Sequence, residues 1–373
     1  MTSGSTHGAA PPTVSVLMAV YNGQRYVRQA IDGILAQSFR DFEFVIVDDG
    51  STDSTPLILD EYVDARIVRL RHAVNRGLIA ALTTGLDAAR GEFVARQDAD
   101  DISNPERLRI QVEFLRLGPD VTVVGSDSIF ESEEGGVPTT RTVERDPLRI
   151  AWILLFYCPL THSSIMFRRE VIKQLGGYGD GDLFVEDFAL WARVTRSSKV
   201  ASTGHALVIR RRPPESITEM HGSEMSRAAR RVSLQNLQWV SGASVATDQL
   251  DALQAFCGNR SLSLEDVLGF ETAGTRDLPV TVGRVFDQFW AKLGTVPAEM
   301  PEFRRWAFRW VGSALLRRSR SLLAESALRT KPEKRLGLRV ARSVALSAIR
   351  VSPAVVWSRR GATAAARAIV GRA

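Results

Sequence analysis

Three stretches of this chain are apolar almost without a break, and each runs into a polar or acidic turn. Val14–Val20 (VSVLMAV) leads into Tyr21-Asn22, Phe42–Val47 (FEFVIV) into Asp48-Asp49-Gly50-Ser51, and Phe93–Arg96 into Asp98-Ala99-Asp100-Asp101. Runs of this length that do not alternate with polar residues read as strands buried on both faces. Helical patterns separate them: Tyr26, Val27, Ala30, Ile31 and Ile34, then Leu78–Ala89 closed by Arg90-Gly91, then Pro105–Leu117. Ser51 or Asp53 is placed to cap the helix after the second strand. Ile67–Leu70 and Val121–Val124 read as further strands. Strands alternating with helices predict an α/β fold, a mostly parallel sheet flanked by helices. Ligands of such sheets bind beyond the carboxyl ends of the strands, where all three polar turns converge.

From Pro147 to Ser226 the pattern is mixed. Trp152–Phe156 reads as helix, Ser163–Phe167 as strand, Arg168–Leu175 as helix and Gly176–Gly181 as loop. Phe188–Thr195 reads as a helix opened by Glu186-Asp187, and Ala206–Ile209 as a strand. Beyond Ser226 the chain reads as helical. The expected organisation is a disordered start over 1–12, an α/β domain over 13–225 and a helical C-terminal region over 226–373 with basic amphipathic helices.

Charge divides the same way. Pro301 to Ala373 holds 17 Lys+Arg against 3 Asp+Glu, a net of +14; the whole chain is +6, so the preceding 300 residues are −8. An acidic body argues against a nucleic-acid partner. Two cysteines, Cys158 and Cys257, are too few for a disulfide framework. With no secretory pattern at the start and no apolar run of about 18 residues, the expectation is a cytoplasmic protein.

The acidic turns carry the chemistry. Three carboxylates within Asp98–Asp101 repel one another unless neutralised, and a hard divalent cation such as Mn²⁺ or Mg²⁺ would do so. The alternative is a solvated turn capping the helix after Pro105. Gly50 and Ser51 are explained by a tight turn, but two adjacent carboxylates at the end of a buried strand are not. One of them can accept the imide N–H of a uracil or thymine, with Tyr21 stacked on the ring. Glu186-Asp187 reads either as a helix start favoured by the dipole or as a general base. His162 and His221, each isolated, read as structural.

Taken in order, these residues resemble the inverting family 2 glycosyltransferases of GT-A fold, over about Val14 to Thr218. The resemblance rests on Ala19–Asn22, Val47–Asp53, Asn75–Leu78, Arg96–Ser103, Asn104–Arg107 with Gln111, His162–Ser164, Gly176–Tyr178 and Glu186–Arg193. It implies a nucleotide-sugar donor, probed by Val20, Tyr21, Asn22, Asp49, Asp98 and Arg211. It implies Asp100 as leading metal ligand with Asp98 and Asp101 beside it. It implies Asp187 as catalytic base with Glu186 orienting or binding the acceptor, and His162, Trp191 and Arg193 as acceptor or supporting residues. A UDP- or dTDP-sugar is the implied donor, and a glycan or lipid-linked hydroxyl the acceptor, as in cell-envelope polysaccharide or glycolipid synthesis. Three positions depart from the pattern: Ala19 replaces a Pro, Thr83 an Asn, and Pro213 a His expected near the diphosphate, with Arg211, Arg212 or His221 as substitutes. These losses keep a nucleotide-binding protein without turnover as the rival reading.

In the tail, Phe303, Trp306, Ala307, Trp310, Val311, Ala314 and Leu315 share one helical stripe, with Arg304, Arg305, Arg309, Arg317 and Arg318 elsewhere on the helix. Arg335–Ile349 repeats the theme. A basic, tryptophan-bearing amphipathic helix suits an anionic membrane surface, here the inner face of the cell membrane. Packing of that stripe inside a helical domain is the alternative.

Overall fold

The apolar runs become the centre of one sheet. A computed structural model describes residues 10–131, 137–179, 183–211, 221–242, 245–257, 278–293 and 300–327, with 344, 345, 347, 348 and 351. Its first half holds β1 (Val14–Val20), α1 (Val27–Leu35), β2 (Phe42–Asp48), α2 (Thr55–Asp60), β3 (Ile67–Arg71), α3 (Leu78–Ala88) and β4 (Phe93–Asp98). There follow β5 (Ile102–Ser103), α4 (Arg107–Leu117), β6 (Val121–Phe130), β7 (Thr139–Arg141), α5 (Pro147–Ile153), β8 (Met166–Arg168), α6 (Arg169–Gln174), α7 (Glu186–Val194) and β9 (Lys199–Arg210). The C-terminal helices are α8 (Gly222–Ser241), α9 (Thr247–Cys257), α10 (Leu278–Leu293) and α11 (Met300–Ala327).

The strand order is β3-β2-β1-β4-β8-β6-β9-β5, with β7 on β6. The expected parallel sheet spans β3, β2, β1 and β4. Beyond β4 the sheet becomes mixed, because β8 joins antiparallel to both β4 and β6. Ser163–Phe167 is therefore not one strand: His162–Ser164 is a 3₁₀ turn, and pairing starts at Met166. The register sets Val20 beside Asp48 and Ala19 beside Asp98, so the three polar turns emerge side by side. Both strand faces are covered, and Val14, Val16, Leu17 and Met18 are wholly buried.

The chain divides into two compact units. One comprises residues up to Ile150 plus Cys158–Met225; the other comprises Ala151–Tyr157 plus Ser226–Ala373. In the second unit Trp152 packs edge-on to Phe289 at 5.3 Å and lies 5.9 Å from Phe286, while Phe156 lies 5.2 Å from Trp310. Phe303, Ala307, Val311, Ala314 and Leu315 are buried in this same unit, with Trp306 and Trp310 half-buried, so most of the α11 stripe is core. Arg304, Arg305, Arg309 and Arg317 are exposed. Of the Arg335–Ile349 pattern, only Val344, Ala345, Ser347 and Ala348 fall among the described residues, and they are buried. The Arg318 side chain, Asp180, Gly181, Arg212 and Pro213 lie outside them.

Candidate active site

At the end of β1 the chain must turn sharply. Asn22 does so in the left-handed region, φ 51°, which asparagine tolerates better than most residues. Its side chain then ties the β1 end to the β2 turn: Oδ1 accepts from Thr52 N at 2.8 Å, and Asn22 N donates to Ser51 Oγ at 2.9 Å. Asn22 is thus a bracket between two turns, and its carbonyl oxygen is occupied. Neither expected residue is the cap of α2: Ser54 holds that position without a side-chain bond, Asp53 just before it accepts from Thr55 N at 2.9 Å, and Ser51 serves Asn22. Val20 is buried and Tyr21 is 48% exposed, open to stack on a planar ligand.

The two acids ending β2 differ. Asp48 Oδ1 accepts from Ser51 N at 2.9 Å, and Oδ2 lies 3.2 Å from Arg71 Nε. Asp49 faces the 72–77 loop: Oδ1 accepts from His72 Nδ1 at 2.6 Å and Arg76 N at 3.0 Å, and Oδ2 from Gly77 N at 2.8 Å. Gly50 has φ 75°, and a Cβ there would stand 2.4 Å from the Val74 carbonyl carbon, so only glycine admits the loop.

Below the acidic turn lies a buried polar raft. Arg107, fully enclosed, donates to Gln97 Oε1 at 3.0 Å, Ser103 Oγ at 2.8 Å, Gln111 Oε1 at 3.1 Å, Arg96 O at 2.6 Å and Ile165 O at 3.1 Å. Burial, then the neighbouring Arg96 charge, pushes Arg107 down to about 9. Gln97 adds bonds to the carbonyls of Asp98 and Asp101. The main chain of the turn is therefore held from below through its carbonyls.

Those carboxylates are not equivalent. Asp101 is 2% exposed and committed to protein: it accepts from Ser163 Oγ and from Arg211 N at 3.1 Å, with Arg210 Nε 3.7 Å away. Asp98 and Asp100 are partly open, and Asp98 accepts from Arg96 at 2.6 Å. Burial pushes Asp98 up, but the Arg96 guanidinium overcomes it and holds Asp98 below its ordinary value. Burial and then Asp98 raise Asp100 to about 6; burial, Asp98 and Asp100 raise Asp101 to about 7. Each of the three offers an oxygen within 4.8 Å of the others. Oxygen-only, mutually repelling ligands suit Mg²⁺ or Mn²⁺, with the Asp98 and Asp100 oxygens on the open side.

At the start of α7 the paired acids also diverge. Glu186 is buried, and burial followed by Asp187 raises it to about 8. Asp187 is partly exposed and accepts from Phe188 N at 2.6 Å. Burial raises it above its ordinary value, with Asp98 adding to the rise and Arg210 and Arg96 opposing it, so the α7 start and the acidic turn share one electrostatic site. His162 lies 3.9 Å from Glu186 and 3.0 Å from the Tyr178 hydroxyl; burial, then Arg96, keeps it neutral at about 3. Trp191 is fully buried against Phe167 and His162, so it supports the site and offers no surface to an acceptor. Arg193 donates to the Gly177 carbonyl and so holds the Gly176-Gly177-Tyr178 turn. Arg211 contributes its main-chain N–H to Asp101 and sets its guanidinium over the Tyr26 ring. Thr83 bonds back to Ile79 O within α3, away from the site chemistry. His221 stacks on Phe184 at 4.6 Å.

Several members of the site were not singled out from the sequence. Arg96, Arg107 and Ser163 lie within the motif segments but gave no sign of their partners. His72 and Arg210 lie at strand ends, a position that marks site residues in such sheets. Cys158 faces Asp187, and burial followed by that carboxylate pushes its thiol up.

Residues 15–176 match the family described as Glycosyl transferase family 2. An uncharacterised Haemophilus influenzae glycosyltransferase is 29% identical over 239 residues, covering 61% of this chain and 74% of that protein. EpsE of Bacillus subtilis, which carries a provisional glycosyltransferase name, is 36% identical over 187 residues, covering 49% of this chain and 66% of that protein. The fold is similar to that of S. aureus TarS residues 1–349 solved with UDP-GlcNAc: TM-score 0.53, 18% identity, 81% of this chain and 88% of that one. The architecture is thus GT-A-like α/β with a helical C-terminal region.

Proposed function

The chain belongs to glycosyl transferase family 2, and on that premise we propose that it moves a sugar from a nucleoside diphosphate sugar to an acceptor hydroxyl with inversion. The observation that carries the reading is the division of labour among five acids. Asp98 and Asp100 stand open beside an anchored Asp101, and an accessible Asp187 stands beside a buried Glu186. Asp98 and Asp100 would hold Mn²⁺ or Mg²⁺, which neutralises charge developing on the leaving diphosphate. Asp187 accepts the proton of the acceptor hydroxyl as the oxygen–anomeric carbon bond forms and the carbon–phosphate oxygen bond breaks. Its raised affinity for protons makes it a stronger base than an exposed aspartate. Glu186, raised to about 8 by burial and then by Asp187, is held as the neutral partner. Arg96 and Arg210 offset the negative charge around the pair.

At the base end, Tyr21 and Asp49 support a uracil or thymine nucleotide, since a carboxylate accepts the imide N–H that those bases carry. A glycan or lipid-linked acceptor, and so envelope polysaccharide or glycolipid synthesis, is the setting we propose. No described helix is long and apolar enough to cross a membrane. With most of the α11 stripe buried and its Trp306 and Trp310 half-buried, peripheral attachment at the inner face of the membrane would rest on the exposed Arg304, Arg305, Arg309 and Arg317.

The test pairs binding with turnover. Thermal stabilisation by UDP, dTDP and GDP, each with and without Mn²⁺, is measured on the wild-type chain, Asp100→Asn and Asp187→Asn. A metal-dependent shift lost in Asp100→Asn and kept in Asp187→Asn, with donor-sugar hydrolysis or transfer lost in both, is expected. A wild-type shift without turnover on any sugar or acceptor tried would favour the binding-protein reading.

A further inference from the structure

His72 is buried, its ring bonded at both nitrogens, and no step proposed above uses it. Nδ1 lies 2.6 Å from Asp49 Oδ1 and Nε2 lies 3.0 Å from Thr84 Oγ1. A carboxylate only accepts, so Nδ1 carries the proton and donates to Asp49. Both side chains of the His72–Asp49 contact are nearly sealed, at 7% and 4% exposure, so solvent does not compete for the bond.

We infer that His72 and Thr84 are positioning residues for the donor's base, acting through Asp49, whose carboxylate they fix so that one Oδ2 lone pair is left for an imide N–H. This rests on the proposed nucleotide-sugar function. The count of donors fixes the geometry. Two oxygens of a carboxylate offer about four acceptor sites. Oδ1 takes His72 Nδ1 and Arg76 N and is full; Oδ2 takes Gly77 N alone. The two main-chain donors come from a loop that passes directly over Gly50, and Asp49 is what pins it there. Thr84 on α3 prevents the ring from turning about its own axis, because a flipped ring would lose both bonds. A ligand with an N–H between two carbonyls can satisfy the last Oδ2 site. A base presenting only an acceptor there would meet a carboxylate lone pair.

The experiment uses the full chain, Mg²⁺, and calorimetric titration with UDP, N3-methyl-UDP and inorganic pyrophosphate. Methylation replaces the imide proton with a methyl group and leaves the rest of the nucleotide unchanged, and pyrophosphate lacks the base. The wild type is expected to bind UDP at least roughly tenfold more tightly than N3-methyl-UDP, the scale of one hydrogen bond to a charged group. In His72→Phe that ratio falls towards one while pyrophosphate affinity holds. His72→Asn, whose side-chain amide can occupy the Nδ1 position, keeps most of the ratio. Thr84→Val, which loses only a hydroxyl, gives an intermediate ratio and reports even if His72→Phe does not fold. An unchanged ratio in Thr84→Val and in folded His72→Phe overturns the inference, as does a wild type that binds both nucleotides equally. A wild type that binds pyrophosphate but no uridine or thymidine nucleotide overturns the proposed donor class instead, and the role of His72 with it.

Discussion

Replacing Asp100 with asparagine should make the metal-free protein more stable, and only above a definite pH. The Asp100 carboxyl stands at about 6 against an ordinary 3.8, because burial and Asp98 disfavour its charge. The folded chain therefore binds this proton more tightly than the unfolded chain does. Its contribution to stability is complete below pH 3.8 and is lost as pH rises through 6. A shift of about two units corresponds to at most ~3 kcal/mol at ~1.4 kcal/mol per unit. Asparagine has the same shape and no charge. The Asp100→Asn chain should match the wild type near pH 4 and exceed it by up to ~3 kcal/mol near pH 7.5. Urea unfolding followed by circular dichroism in EDTA, at both pH values, measures this. Adding Mg²⁺ at about 100 times its dissociation constant should restore about 2.7 kcal/mol to the wild type and nothing to the variant. A variant that is neutral or destabilised at pH 7.5 in EDTA would refute the electrostatic account. Equal stabilisation of both chains by Mg²⁺ would remove Asp100 from the cation site.

Three further outcomes follow from the packing. Arg107→Lys replaces a five-bond guanidinium with a group that can make three, and should cost about 2–4 kcal/mol by urea denaturation; a loss under about 1 kcal/mol would mean the raft is not what holds the acidic turn. Gly50→Ala forces a side chain into the left-handed region and against Val74, so a drop in stability of at least ~2 kcal/mol with weakened nucleotide binding is expected, and unaltered binding would show that the 72–77 loop can move aside. Trp152→Ala empties the centre of the aromatic cluster in the second unit and should cost about 3–5 kcal/mol, read as a lowered midpoint of thermal unfolding; a cost below ~1 kcal/mol would mean that the cluster closes over the gap.

The parallel strands were legible because they are buried on both faces and end abruptly at charge. Val14–Val20 appears as β1 without change, and Phe42–Val47 lengthens only by Asp48. The mixed half was not legible in the same way. β6 runs to Phe130 through Gly125 and the polar but buried Ser126, Asp127 and Ser128; Ser126 Oγ bonds a main-chain carbonyl and Asp127 accepts from Val143 N. β9 runs from Lys199, where only Ala206–Ile209 was expected, because its pairing with β6 is irregular around Asp127 and Ala206. β5 has two residues, too few for any periodicity. In the site, the carboxylates could be read because clustered like charges demand an explanation locally. Their partners could not: Asp101 meets Ser163 and Arg211 across 62 and 110 residues, and no local pattern carries such information.

The heptapeptide Ala151–Tyr157 belongs to the unit whose other members begin at Ser226. That arrangement sets a schedule for biosynthesis. Trp152 and Phe156 leave the ribosome long before α10 and α11, the helices that enclose them. At ~5–20 residues per second, roughly 150 residues of delay is about 8–30 s during which an aromatic segment has no shelter. The nascent chain should therefore be a client for chaperones that grip exposed aromatics. A fragment ending near residue 225 would keep this segment permanently uncovered and prone to aggregate. Expression trials that trim the protein to its sheet-bearing half would meet this obstacle first, however intact the acids at the strand ends remain.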